Sequence, residues 1–197
     1  KEALSESEVE KYEDYEYGLY EQAIFFSDNG TFDNNSKKNI GSSTAYVYLA
    51  DGTVVEFDAC TLPSSFEYAT VTEGLYIAIV GMHNDKYIAL RMSDMGKHNS
   101  IIELGYPNPA YKDGRTYISG ANIHKPGRKN FTGITYDGIA ISEGCFLIDI
   151  DRWDEFINLF DTPSQRGNTV SITVSRTLSE PINSIERHSF NFIETGT

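Results

Sequence analysis

The residues best suited to chemistry in this chain are two cysteines and four histidines, and one region brings the two types together. His124 closes a strand-like run, and Cys145 follows 21 residues later, directly after Gly144. A free thiol with its usual pKa of about 8.5 is mostly protonated near neutral pH, so a cysteine nucleophile needs a neighbouring base. Imidazole can accept that proton. The pair therefore predicts a nucleophilic Cys145 with His124 as its base.

Two neighbours of Cys145 fit the same chemistry. Gly144 permits a sharp turn and leaves room for a substrate carbonyl, so we expect Gly144 and the Cys145 N–H to form an oxyanion site. Ser142 can shape the loop through hydrogen bonds. The alternative is that Cys145, which precedes an apolar run, is a packing residue of the core.

The other histidines and Cys60 have simpler interpretations. His83 and His98 lie in turn-like segments, His188 lies in a polar tail, and Cys60 is predicted to be a buried thiol, with a disulfide also allowed. A papain-like amidase would place its cysteine before its histidine and at the start of a helix, whereas Cys145 lies among strand formers. With no Cys/His ligand cluster and no nucleotide-binding loop, the sequence predicts no metal and no cofactor.

The elements that must position these residues are short strands punctuated by Gly, Pro and Asn. The clearest is a hairpin with its turn at Asp51 and Gly52. Further predicted strands are Leu75–Val80, Tyr87–Met92, Thr116–Ile118, Ala121–His124, Ile139–Ile141, Phe146–Ile150 and Val170–Val174. A helix over Asp151–Phe160, capped by Asp151, would bury Trp153, Phe156, Ile157 and Phe160. This pattern predicts a mainly β fold, a β-sandwich or barrel-like mixed sheet with one short helix after the cysteine motif.

The domain organisation follows from the same pattern. Residues 1–43 are predicted to form an acidic appendage and a polar loop, because the first 21 residues hold eight acidic side chains and 27–43 are rich in Asn, Ser and Gly. Residues 44–197 are predicted to form a single β-rich domain.

Composition excludes several function classes. The formal net charge of −13 and pI of about 4.6 argue against a nucleic-acid-binding surface. No apolar run is long enough to span a membrane, and we expect a monomer. No signal-peptide pattern is present, and a first residue other than Met fits an exported protein whose signal segment is missing from this sequence.

One family resemblance unites these features. The order is His124, a connecting loop, Ser142-Glu143-Gly144-Cys145, a short helix, and Gly167-Asn168-Thr169-Val170-Ser171-Ile172. This order resembles the catalytic region of the L,D-transpeptidases, cysteine enzymes that cross-link peptidoglycan. Thr72-Glu73-Gly74-Leu75-Tyr76 resembles the turn by which such domains enter a strand, and the resemblance covers about residues 70–174.

The resemblance implies a function and a location. Cys145 would attack a carbonyl of the stem peptide beside a D-centre and form a thioester, His124 would act as the base, and an amine of a second stem would resolve the acyl-enzyme. The partners would be peptidoglycan stem peptides, in the cell envelope, the periplasm or outside the cell. This chain has Glu143 where the family usually has His, and Leu147 where it usually has a polar or basic residue.

The candidate substrate-binding residues surround this motif. Between Lys97 and Lys129 there are six basic residues and two acidic ones, so Lys125 and Arg128 are predicted to bind a carboxylate-bearing stem peptide. Tyr106 could line a groove, and Glu143 would oppose thiolate formation unless it pairs with a basic residue of this loop. The alternatives to transpeptidation are a hydrolytic carboxypeptidase or endopeptidase relative and a non-catalytic envelope binding module.

Overall fold

The computed structural model of this chain describes residues 22–28, 31–33, 38–40, 43–64, 67–94, 101–106, 108–126, 135–136, 139–140, 142–162 and 169–176. Strands dominate these residues, so the predicted mainly β class is confirmed. Eight strands form a closed barrel. In neighbour order they are β1 (Ala23–Asp28), β15 (Thr169–Ser175), β7 (Gly74–His83), β8 (Tyr87–Asp94), β11 (Asn122–His124), β14 (Phe146–Ile148), β5 (Val54–Cys60) and β4 (Ser43–Tyr48).

The barrel is a mixed sheet, so of the two forms that the sequence left open, a β-sandwich and a barrel-like mixed sheet, the structure has the barrel. The β1–β15 and β11–β14 pairs are parallel, and the other neighbours are antiparallel. Strand β1 bonds to β15 on one side and to β4 on the other, so it joins what would otherwise be two free edges.

The closing strand lies where the sequence analysis placed no strand. Ala23–Asp28 falls within residues 1–43, yet it is a buried barrel strand whose Ile24 and Phe26 belong to the core. Two short strands, β2 (Thr31–Asp33) and β3 (Lys38–Ile40), also replace part of the loop predicted over 27–43. Residues 1–21, the most acidic part of the proposed appendage, lie outside the described residues.

Two smaller sheets accompany the barrel within the described residues. One joins β6 (Thr70–Val71), β9 (Ile101–Tyr106) and β10 (Tyr117–Ser119), with β9 in the middle. The other joins β2 and β3 to β13 (Ile139–Ala140) and β12 (Thr135–Tyr136).

The core fills the barrel with alternate side chains of its strands, as the pleat of a strand requires. The predicted hairpin is confirmed, with Val47 opposite Val55 and a turn in which Gly52 has φ of 84°. Across the interior, the rings of Phe26 and Phe146 meet edge to face at 4.9 Å.

The predicted helix is shorter than expected, and a different residue caps it. A 3-10 turn, Ile150–Arg152, leads into α1, Trp153–Asn158. The Asp149 carboxylate accepts the Asp151 N–H and caps this turn, so the prediction of Asp151 as the N-cap is wrong. The predicted apolar stripe is buried, and Phe156 packs edge to face on Phe57 of β5 at 5.2 Å.

A buried ion pair closes one end of the barrel. Arg176 follows β15, and its Nη1 lies 2.6 Å from Oδ2 of Asp28 at the end of β1; the two side chains are only 4% and 2% exposed. The same guanidinium donates to the Thr61 hydroxyl and to the Val71 carbonyl, and it lies 4.6 Å from the centre of the Tyr106 ring. These contacts tie the two parallel strands together.

Replacing Arg176 by Met should destabilise the protein strongly, because Asp28 would be left charged and buried without its cation. We expect the free energy of unfolding to fall by about 3–5 kcal/mol in urea denaturation. The matched control is Lys112→Met, which removes the exposed ion pair to Glu67 and should cost at most about 1 kcal/mol. Equal losses in the two variants would contradict this role of Arg176.

Candidate functional site

The parallel pairing of β11 with β14 brings the segments that carry His124 and Cys145 together. Ile123 pairs with Phe146 and His124 with Leu147, so one step back along the register Cys145 stands opposite Asn122. Ile123 and Phe146 point into the core, which puts Asn122, His124 and Cys145 on the outer face of the barrel. The two residues predicted to act together therefore share one face, two register positions apart.

Hydrogen bonds orient the His124 ring. Its Nδ1 lies 2.6 Å from the Lys125 carbonyl oxygen and 3.3 Å from the Tyr87 hydroxyl. A carbonyl can only accept, so Nδ1 carries the proton and Nε2 keeps its lone pair. Burial and the charge of His83 lower the pKa of His124 to about 4, although the bond to the Lys125 carbonyl acts in the opposite direction. The ring is therefore neutral at physiological pH, in the tautomer that a base acting through Nε2 needs.

The Cys145 thiol is protonated at rest. Burial raises its pKa above the usual value, and the negative charge of Glu143 raises it further, while the Asn122 backbone N–H favours the thiolate. The side chain is partly exposed and free of any disulfide. The site thus holds a neutral thiol and a neutral imidazole, and thiolate formation depends on proton transfer during the reaction.

Side-chain hydrogen bonds hold the cysteine loop. The Ser142 hydroxyl donates to the Cys145 carbonyl at 2.6 Å and accepts the Gly144 N–H at 3.1 Å. Two hydroxyls from outside the loop bond to the intervening backbone carbonyls. The Thr70 hydroxyl donates to the Gly144 carbonyl, and the Tyr111 hydroxyl donates to the Glu143 carbonyl. Ser142 occupies the position needed for its predicted role in shaping the loop.

Gly144 is required by the backbone geometry and by close packing. Its φ is +135°, and a Cβ built on it would lie 2.5 Å from the Ala69 carbonyl oxygen and 3.1 Å from the Tyr111 hydroxyl. Because Ser142 already accepts the Gly144 N–H, that group is not free to hold an oxyanion. The expectation of two donors at this turn is corrected, and the Cys145 N–H is the candidate that is left.

Three residues that the sequence analysis did not assign to the site adjoin it. Tyr87 contacts His124 and Tyr111 holds the cysteine loop; burial and the Cys145 charge raise the pKa of each phenol to about 12. Asn122 is buried, and its Oδ1 has no hydrogen-bond partner among the described residues. The position of Asn122 two residues before His124 on a strand was the available signal, since residues i and i+2 share a face.

His83 is the fourth addition, and the sequence pattern had assigned it to a turn. It ends β7, and its ring stacks on that of His124 with centroids 4.1 Å apart and an interplanar angle of 17°. The two histidines are 41 positions apart, so only the order of β7, β8 and β11 in the barrel brings them together.

The predicted substrate-binding residues have different outcomes. The Lys125 ammonium lies 5.0 Å from the centre of the Tyr87 ring, beside the site. Glu143 is exposed, and among the described residues no cation is paired with it. Tyr106 instead packs near Leu147 and Cys60 and contacts Arg176. Arg128 lies outside the described residues, as do His98 and His188.

Other features of the chain contribute no further chemistry to this site. Cys60 is a buried free thiol whose pKa is raised by burial to about 12. Among the described residues, no group of three His, Cys, Asp or Glu side chains could hold a metal. Nor does that part of the chain contain a helix long and apolar enough to cross a bilayer.

Comparison with family models, curated proteins and solved structures finds no match to this chain. The assignment of a function therefore depends on the residues and their geometry.

Gly144→Ala should be strongly destabilising, because it combines an unfavourable φ with a clash against the Ala69 carbonyl. We expect the free energy of unfolding to fall by about 3–5 kcal/mol. Gly114→Ala is the matched control, since Gly114 has φ of +85° but open space around its Cβ, and it should cost about 1–2 kcal/mol. If denaturant titration gave equal losses, close packing at Gly144 would play no part.

Glu143→Gln should make Cys145 more reactive. Removing the nearby negative charge lowers the pKa of the thiol, so more thiolate is present at pH 7.5 and alkylation by iodoacetamide should accelerate about two- to threefold. The rate is read from the mass of the Cys145 peptide, with Cys60 as the unreactive internal reference. Glu103→Gln, an exposed carboxylate on β9, should leave the rate unchanged. A rate that Glu143→Gln does not increase would contradict the electrostatic effect.

Proposed function

We propose that this protein is a peptidoglycan-acting cysteine enzyme that transfers a stem-peptide acyl group through a thioester on Cys145, as the L,D-transpeptidases do. The observation that carries the proposal is the parallel β11–β14 register, which sets Cys145 and His124 on one face of adjacent strands. The residue order of the sequence motif supports it from a separate direction, because Ser142 bonds to the backbone of Gly144 and Cys145 and holds the loop that carries the thiol.

The first half-reaction starts from the neutral pair. The Cys145 proton passes to Nε2 of His124 as the sulfur attacks the carbonyl carbon of the donor stem, and the charge that develops on the oxygen is held by the Cys145 N–H. The carbon–nitrogen bond then breaks, the leaving amine takes the proton from His124, and a thioester remains on Cys145. The Lys125 carbonyl, which accepts the Nδ1–H, stabilises the imidazolium as it forms.

The second half-reaction returns the enzyme to its starting state. An amine of a second stem attacks the thioester, gives its proton to His124, and displaces the sulfur, which recovers a proton from the imidazolium. If water replaces the amine, the same steps give a carboxypeptidase or endopeptidase.

Nearby groups suit a peptide that carries carboxylates and amines. The Lys125 ammonium provides positive charge beside the histidine, and Glu143 provides an exposed carboxylate next to the nucleophile. Envelope or extracellular location and a monomeric state belong to this proposal.

A second candidate is a non-catalytic envelope binding module. The raised pKa of the Cys145 thiol favours it, because a protonated cysteine beside an acidic residue also fits a site that binds without reacting.

Incubation with disaccharide tetrapeptides, followed by mass spectrometry of the products, tests the proposal. New dimers would support transpeptidation, and loss of one residue would support the hydrolytic version. Cys145→Ala should lower turnover by about 10³-fold or more, and His124→Ala by about 10²–10⁴-fold. Cys60→Ala, the matched control that removes the other thiol, should retain activity.

The alternatives separate in the same assay. If no product forms and intact-mass measurement finds no acyl adduct on Cys145, acyl transfer is contradicted. Binding to isolated peptidoglycan without turnover would then favour the module, and the absence of binding would contradict both candidates.

A further inference from the structure

The rings of His83 and His124 stack on the outer face of the barrel, with their centroids 4.1 Å apart. The outer-face positions run across four adjacent strands, from His83 on β7 through Tyr87 on β8 and His124 on β11 to Cys145 beside β14. One step along the register, His124 stands opposite Ala89 of β8, a small and fully buried residue. A small side chain at this point leaves room for rings from β7 and β11 to meet over β8.

The contact between His83 and Asn84 defines the tautomer of the His83 ring. Its Nε2 lies 3.1 Å from the Asn84 amide nitrogen, which can only donate, so Nε2 is the acceptor and Nδ1 carries the proton. That Nδ1 is buried and has no hydrogen-bond partner among the described residues. A buried donor without a partner costs free energy, so its retention calls for a physical reason.

We propose that His83 is a positioning residue of the Cys145–His124 site: its stacked ring fixes the plane of the His124 imidazole, and His83, when protonated, opposes protonation of that imidazole. The inference rests on the proposed function, since it assigns His83 a role in preparing the base. Stacking restricts rotation of the His124 ring, whose Nδ1–H the Lys125 carbonyl already holds. Nε2 is thereby kept in one orientation as the lone-pair atom.

Electrostatics acts in the same direction. Protonating both rings would place like charges about 4 Å apart, so a charge on His83 opposes a charge on His124. Burial and the nearby Lys86 lower the pKa of His83 itself. The other titratable groups around the pair, within the described residues, are Tyr87, Lys125 and Cys145.

The test is a histidine-selective NMR titration of the wild type, His83→Phe and His83→Ala. The His124 signal is assigned by its loss in His124→Gln. His83→Phe keeps a flat ring but removes the charge, so the pKa of His124 should rise by about 0.7 pH unit or more, the size of this like-charge interaction in water. His83→Ala also removes the stacked ring and exposes the His124 ring to water, so the pKa of His124 should rise further. Met82→Ala, an exposed neighbour on the same strand, is the control and should change nothing.

Alkylation of Cys145 provides the readout of ring orientation. At pH 8, the rate of Cys145 alkylation in His83→Phe should lie within about twofold of the wild-type rate. In His83→Ala this rate should fall about fivefold, which is part of the 10²–10⁴-fold acceleration that a general base contributes. If His83→Ala does not fold, His83→Phe still tests the charge effect and His83→Leu, which fills the space without a flat ring, tests the stack.

The outcomes distinguish the inference from the function on which it rests. An unchanged pKa of His124 in His83→Phe overturns the inference whether or not the protein is active. The inference is also overturned if Cys145 is alkylated as slowly in His83→Phe as in His83→Ala and His83→Leu, which lack a flat ring. If His124→Ala leaves the alkylation of Cys145 unchanged while His83→Phe still raises the pKa of His124, the acyl-transfer function fails and the coupling of the two rings stands.

Discussion

The parallel pairing of β11 with β14 is the constraint on which the arrangement of the site depends. Two parallel neighbours must be joined by a crossover that returns the chain to the end where it started, and residues 125–145 provide that connection. The same connection supplies Lys125 at one end and Glu143, Gly144 and Cys145 at the other. Because both strands are held in register by a core that contains Ile123 and Phe146, the imidazole and the thiol have fixed places on the outer face.

The barrel around this pair gives it support from elements distant in sequence. The hydroxyls of Thr70 and Tyr111 hold the carbonyls of the cysteine loop, and Tyr87 contacts His124 from β8. At the end of the barrel the buried pair of Arg176 and Asp28 joins β15 to β1. Rigid surroundings of this kind are what a neutral thiol and a neutral imidazole require, since neither charge is present to pull the two groups together before the reaction.

The electrostatics of the site describe a resting state that resists ionisation. Burial raises the pKa of Cys145 and lowers that of His124, so the proton donor and the proton acceptor are both favoured in their uncharged forms. Glu143 acts in the same direction on the thiol. Reactivity of such a thiol depends on transfer of its proton to a base as the sulfur attacks, so we expect slow reaction of Cys145 with small electrophiles.

The sequence by itself determined the local elements and the chemically capable residues. Alternation and turn residues identified β4, β5, β7, β8, β11, β14 and β15 to within a few residues, and helical spacing identified the buried face of α1, because these signals are local. Residue type and order singled out Cys145, His124, Ser142 and Gly144. The tertiary structure decided the rest: β1 has no turn or alternation signal that announces it, and its place is set by two partners far along the chain. Likewise, nothing in a turn-like segment shows that His83 stacks on His124, because that contact depends on the order of the barrel strands.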